Sequence, residues 1–516
     1  MISTARRAFA GVLACATLTI VGCNGEMGLG DGGDSPPGGC SSSSCGTAYV
    51  SLTDASGDFD SYTVDVVSLS LKKADGTSVD TLPVKPRVDF ADLVDLKEFL
   101  TAASIPTGSY VSGTLRLDFT NADIVVDVNG VPTHAVAVDA NGTALTTVDL
   151  DIQLDNRKQL VIAAGSAALL ELDFDLLASN SIDLTKNPVQ VLVQPFIVAS
   201  VDVTDSREAR VRGLLTSVNS SSGDYHIDLR PFHLASGRLG DVTVHTTSTT
   251  EFEIDGTSYT GAPGIAALAA INTGAPTAAY GTLNVSQRSF TATRVHAGTS
   301  VAGSQFDVIE GNVVARSGNT LTVRGATLIK RNGSVVFERG DTALVVGPNT
   351  KVTQDGERDT TQSLNIGSIS VGQRIHAFGA VTEATNGDAT LDATSGRVRM
   401  HLTHLLGTVT NTFPGSVTLN LASIDGHRAS AFNFAGTGVQ PTQDALATSY
   451  EIDTDVLNLD ALDVNSAARV FGFVTPFGSA PPDFAARTIV DFRDVQAVLS
   501  VGWGLTGTSA PFFEIN

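Results

Sequence analysis

The chain has 516 residues, 42% of them apolar, enough to bury several cores and too many for one ordinary β-domain. Its 54 Asp and Glu against 32 Lys and Arg give a net charge of −22, which argues against a nucleic-acid partner, whose phosphates need cationic neutralisation. Fifty glycines with abundant Thr, Val, Ser, Asp and Asn favour strands joined by tight turns over helices.

Arg6 and Arg7 open the chain with positive charge, and residues 8–22 follow as an apolar stretch too short to span a bilayer as a helix. Residues 1–22 therefore read as a secretion signal. Ile20-Val21-Gly22-Cys23 resembles the bacterial lipobox. The resemblance implies fatty acylation of Cys23, cleavage just before it, and a membrane as the first partner. Asn24 in place of Asp implies delivery to the outer membrane in a Gram-negative host. Residues 23–46 carry the Cys and a Gly/Ser/Pro-rich tether with too little apolar matter to fold. Cys15 leaves with the signal, so Cys40 and Cys45 remain. In an oxidising compartment they close a small disulfide loop, or stay as free or intermolecular thiols. Zinc would need four ligands, and no paired Cys or His lies nearby.

From residue 47 the text turns to strands. Val148, Leu150, Ile152 and Leu154 alternate with polar residues, as do Leu170, Leu172, Phe174 and Leu176 with acids, so each run presents one apolar face. On this pattern the acids Asp149, Asp151, Glu171, Asp173 and Asp175 fall on solvated faces. Asn129-Gly130 and Asn141-Gly142 are two-residue hairpin signals. Residues 92–103 give the one hint of a helix, and Pro195 marks an edge strand or a bulge. Residues 47–203 are expected to form an antiparallel β-sandwich.

Ser51-Leu52-Thr53-Asp54-Ala55-Ser56-Gly57-Asp58 resembles the SLTDAPGD-type opening of an uncharacterised bacterial and archaeal lipoprotein family, with Ser56 where that family has Pro. Ile105-Pro106-Thr107-Gly108-Ser109-Tyr110, Leu172-Asp173-Phe174-Asp175 and Val193-Gln194-Pro195-Phe196 fit the same family. The resemblance implies fold and location and nothing catalytic, because the family's domain is itself of unknown function.

The rest of the chain repeats three times. Gly213, Gly311 and Gly407 each sit in an apolar-x-Gly-x-apolar frame. Tyr280-Gly281, Phe378-Gly379 and Phe471-Gly472 follow 68, 68 and 65 residues after those glycines. Phe290-x-Ala292, Leu391-x-Ala393 and Phe484-x-Ala486 make a third anchor. Glycine inside a strand permits the bend that coils it around a barrel. Seven residues before each second glycine stand Gly274, Gly372 and Asn465, types that tolerate a left-handed turn. Residues 263–271 read as a short helix with Pro in its first turn, and residues 455–462 as its counterpart in the third unit. Strands, a short helix, then a closing hairpin is the order of an OB-like barrel. Val371-Gly372-Gln373-Arg374-Ile375-His376-Ala377-Phe378-Gly379 also resembles the VGxxVxVxG stretch of an OB-like repeat family of unknown function. The expected organisation is all-β: the sandwich, then three tandem OB-like barrels at 209–300, 304–400 and 403–500, and a C-terminal tail at 501–516.

Few residues carry recognisable chemistry. Asp54, Asp58 and Asp60 place three carboxylates on a glycine-bearing turn. They read either as a weak Ca²⁺ site or as an Asx-type turn whose side chains satisfy loop amides. His401 and His404 are the one close histidine pair, but three apart on a strand they face opposite ways, which fits surface or turn positions. The Gly-x-Ser-x-Gly, His-Glu-x-x-His, Walker and dinucleotide fingerprints are missing, and no catalytic residue is assigned. The expectation is a non-enzymatic envelope lipoprotein: a tethered rod of β-domains presenting a surface to an envelope protein or polymer. A module binding Ca²⁺ or an envelope glycan is the alternative, and a hydrolase of envelope polymers comes behind it.

Overall fold

The computed structural model describes residues 44–492 except 55–58, 94–95, 129–130, 155–158, 195–196, 202–207, 233, 235, 238, 286, 288, 337–340, 356–362, 384–388 and 461. Cys23, Cys40, Asp58, Pro195 and the tail at 501–516 lie outside the described residues.

The first part of the described chain is a two-sheet sandwich. One sheet runs Ile197–Ser200, Ala167–Phe174, Cys45–Thr53, Leu96–Pro106, and the other is organised around the long strands Phe59–Lys73 and Gly108–Val128. Most pairings are antiparallel. Two are parallel: Cys45–Thr53 beside Ala167–Phe174, and Val131–Val138 beside Val189–Val193. The period-two runs decide the inward faces, with Leu150, Ile152, Leu170, Leu172 and Phe174 buried and Asp149 and Asp151 exposed. The strands either side of 129–130 meet at Val128 and Val131, and Asn141-Gly142 turns with Gly142 at φ +77°.

Two expectations for this part fail. Residues 92–103 are not helical: a 3-10 turn at Phe90–Leu93 leads into the strand Leu96–Pro106, whose sheet neighbours on both sides override local propensity. Glu171 is not on a solvated face. It is buried and its carboxylate meets Lys97 Nζ at 2.7 Å.

Three five-stranded barrels follow. In the first, Glu208–Asn219, Asp224–Leu229 and Asp241–Ile254 form a meander. The helix Ala262–Ala270 follows, and Pro276–Asn284 and Ser289–Ala297 close the barrel. Closure comes from antiparallel pairing of the first strand with the fourth and parallel pairing of the third with the fifth. The second barrel repeats this order with Asp307–Ser317, Thr320–Ile329, a third strand broken into Thr342–Val345 and Lys351–Gln354, then Arg374–Glu383 and Ala389–Met400. The third uses Thr403–Phe413, Ser416–Ile424, Tyr450–Asp453, Ala467–Val474 and Phe484–Asp491. This is the OB arrangement. Among the described residues the helix survives only in the first barrel. The second has a 3-10 turn at Ile366–Ser368, and the described residues of 455–462 form turns. The third unit lacks the Ala/Leu/Ile run that gives the first its helix.

The repeated glycines have one job each. A Cβ on Gly281, Gly379 or Gly472 would meet the backbone oxygen of Thr291, Asp392 or Ala485 at 2.0, 2.2 and 2.1 Å, and the fourth–fifth strand register shifts at this point in all three barrels. Gly274, Gly372 and Asn465 all have positive φ, at 84°, 99° and 72°. Each donates its amide, at 2.7 Å, to the carbonyl of Leu215, Val313 or Val409, which stands two residues after the first glycine of its frame.

The sandwich and the barrels pack against one another. Leu96-Lys97-Glu98 of the sandwich pairs in parallel with Glu208-Ala209-Arg210 of the first barrel, so one sheet runs through both, and a single apolar core includes both. The sandwich also touches the later barrels: Asp127 meets Arg324 at 3.4 Å, Thr327 donates to Asp92 at 3.0 Å, and Asp60 meets His427 at 3.0 Å.

Candidate functional site

Period two puts one face of each barrel strand inward and the other outward. Val211, Val295 and Val398 are core residues, so the flanking pairs Arg210/Arg212, Arg294/His296 and Arg397/Arg399 point out of their barrels. Neighbouring units cover most of their surface: all but Arg294, whose side chain is 14% exposed, are buried. The charged exteriors of the barrels are buried against each other.

The result is a chain of ionisable groups linking three units. Glu98 of the sandwich, fully buried, accepts from Arg210 Nε and, at 2.8 Å, from Arg212 Nε. Glu310 of the second barrel lies beside these arginines, and its other neighbour His376 stands 3.6 Å from its Oε1. Burial raises the Glu310 carboxyl, against Arg212 and Arg210, which lower it. Farther along, Glu253 of the first barrel accepts two hydrogen bonds from Arg399 of the second, at 3.0 and 2.6 Å. Burial alone would raise the Glu253 carboxyl, but Arg399 and its neighbours hold it at about 2.

Asp355 is the hub between His401, at 2.6 Å, Arg294, at 2.8 Å, and His296, at 3.4 Å. These cations and donors outweigh burial and keep its carboxyl far below the usual range. Burial lowers the His401 ring to about 4, more than Asp355 can offset, so at neutral pH a neutral ring donates from Nδ1 to the carboxylate. The ring of His401 lies 3.8 Å, centroid to centroid, from that of His376, which burial also holds neutral. Tyr280 and Phe378, the repeated aromatics, each carry a guanidinium, with Arg294 at 4.7 Å and Arg397 at 4.4 Å from the ring centre.

His401 and His404 are therefore both buried, and the surface reading of this pair is corrected. They do face different partners: His404 meets Asp425 of its own barrel at 2.9 Å, and Asp425 in turn accepts from Asn312 of the second barrel at 2.6 Å. Asp54 and Asp60, both buried, have separate duties in the structure. Asp54 accepts the Leu176 amide at 3.0 Å, and Asp60 faces His427 of the third barrel. Among the described residues no group of three or more His, Cys, Asp and Glu is arranged to hold a metal ion. Cys45 opens its strand buried and disulfide-bonded.

Sequence reasoning missed the ion network because its members are spread from Glu98 to His401 with no fixed motif. The readable trace was the i, i+2 spacing of arginines on strands, which puts both on one face. Beside the network, where the first and second barrels meet, a cleft of about 280 Å³ opens. Arg212, Arg230 and Arg331 line it over an apolar floor that includes Leu214, Leu234 and Ile329. No family model matches the chain, and no curated protein is significantly similar to it.

Proposed function

We propose that the chain is an envelope lipoprotein, anchored through acyl groups on Cys23, whose body serves as a rigid structural or interaction module. The observation that supports this reading is the way the units are joined. A continuous sheet and buried ion pairs make the sandwich and barrels one body, where a flexible string of binding modules would have exposed, polar linkers between separate cores. Several acyl chains on one terminus give stable anchoring, whereas a single chain binds marginally. In a Gram-negative host the address is the outer membrane.

Fractionation of cells expressing the parent or Cys23→Ser, with proximity labelling from the folded body, tests the reading. The parent is expected in the membrane after a high-salt wash and the variant in the soluble fraction, with the parent's labelled envelope neighbours lost. A variant retained like the parent would overturn the anchor. A parent that labels no envelope component above background would overturn the interaction role.

A further inference from the structure

We propose that the cleft between the first and second barrels binds a small organic anion through a phosphate or carboxylate group. Three arginines from different places line it: Arg212 from the first strand of the first barrel, Arg230 from the segment after its second strand, and Arg331 from a hairpin of the second barrel. Among the described lining residues none is acidic, in a chain where Asp and Glu outnumber Lys and Arg by 54 to 32. The carboxylates stand behind the arginines. Glu98 accepts from Arg212 at 2.8 Å, Asp228 from Arg230 at 3.3 Å and Asp307 from Arg331 at 3.1 Å. Asp307 also accepts the backbone amides of Arg331 and Val381, which fixes it in place.

That arrangement orients donors. A guanidinium has five N–H groups in a planar fork, so a carboxylate on one edge aligns it without exhausting it, and the fork matches an oxyanion in geometry. Asn332, on the same hairpin as Arg331, adds a polar side chain to the lining, and Gly303 and Gly333 extend the lining without side chains. An apolar floor with a few convergent polar groups, at the junction of two units, is the usual make-up of a small-molecule site. Its volume stands near the lower end of the roughly 300–1,000 Å³ range of such sites, which suits one sugar-sized anion and not a polymer segment.

The test is calorimetric titration of the full mature protein in detergent, in a buffer without phosphate. The probes are inorganic phosphate, glucose 6-phosphate, glucuronate and uncharged glucose. At least one anion is expected to bind about tenfold or more tighter than glucose, with affinity falling as salt rises. Preference for the two phosphates or for glucuronate identifies the recognised group. Arg331→Gln should weaken binding about tenfold and Arg331→Lys less, because an ammonium keeps charge but not the fork. Asn332→Asp is the control for folding: its carboxylate can still accept from Ser334 as Asn332 does at 2.9 Å, while adding negative charge to the lining. It should also weaken the anion and leave the thermal melt unchanged. No anion binding at millimolar concentration, or binding indifferent to both Arg331→Gln and Asn332→Asp, would overturn the proposal.

Discussion

Arg399 of the second barrel and Glu253 of the first face each other through two parallel hydrogen bonds, in a junction where both side chains are almost wholly removed from solvent. The pair is tied down at its edges. Thr353 donates to Glu253 Oε2 at 3.1 Å, and Arg399 Nη2 donates to the Ser300 carbonyl at 3.0 Å. An ion pair with its remaining polar atoms satisfied is the kind that specifies one docking arrangement, since any slip leaves a charge buried without its partner.

Glu253→Gln should therefore cost stability heavily, about 3–5 kcal/mol, because Arg399 and Arg397 stay buried with their main counter-charge gone. Urea melts followed by fluorescence and by circular dichroism should show the loss. A change below about 1 kcal/mol would mean the junction is wet or open in solution.

Acid should loosen the same junction before it protonates most carboxylates. The His401 ring titrates at about 4 in the folded protein and at 6.5 when unconstrained, so between those values the unfolded chain binds the extra proton. Stability is full above pH 6.5 and falls as pH drops toward 4, by about 3 kcal/mol for this ring. His296 and His376 are lowered in the same direction and add to the slope. Melting temperatures across this range should fall more steeply for the parent than for His401→Gln.

Asp89 has the opposite sign. Burial, and after it Asp92, raises its carboxyl from 3.8 to about 8, while it accepts the amides of Tyr62 at 2.8 Å and Ala91 at 3.1 Å. The folded protein holds the proton that the unfolded chain loses, so this contribution is complete below pH 3.8 and disappears as pH rises through 8. Asn can accept both amides without a charge. Asp89→Asn should match the parent at pH 4 and gain steadily on it up to pH 8, read by chemical denaturation at matched ionic strength.

Glycine substitutions separate close approach from backbone angle. Gly379→Ala places a methyl 2.2 Å from the Asp392 carbonyl, a contact that forces strands apart, and several kcal/mol should be lost. Gly318→Ala meets nothing within 4 Å and carries only the penalty of φ +59°, about 1–2 kcal/mol. Equal losses at the two sites would contradict the bulge geometry.

How much of this was legible depended on the range of the cause. The barrels were readable because each closing bend forces a glycine or a left-handed residue at a set place, and Gly274, Gly372 and Asn465 all adopt the positive φ their residue types suggest. Alternation placed Leu150 and Ile152 inward correctly for the same local reason. Glu171, His401 and His404 misled because a pattern of two tells which face a residue takes and nothing about what lies against that face. Here the outward faces are covered by other units. Asp60 and His427 meet across 367 residues of sequence, and no local signal carries that information.

The parallel pairing of Leu96-Lys97-Glu98 with Glu208-Ala209-Arg210 has a consequence for the order of assembly. Made from its N-terminus, the chain completes every strand of the sandwich while Leu96–Pro106 is still an edge, with open backbone groups and the carboxylate of Glu98 lacking both arginines. An uncovered edge of that kind recruits strands from other molecules. The exposure ends once residues 208–212 arrive. A fragment cut between sandwich and barrel would keep that sticky margin for good, so the natural unit of folding, and the smallest piece worth expressing, extends through the first barrel.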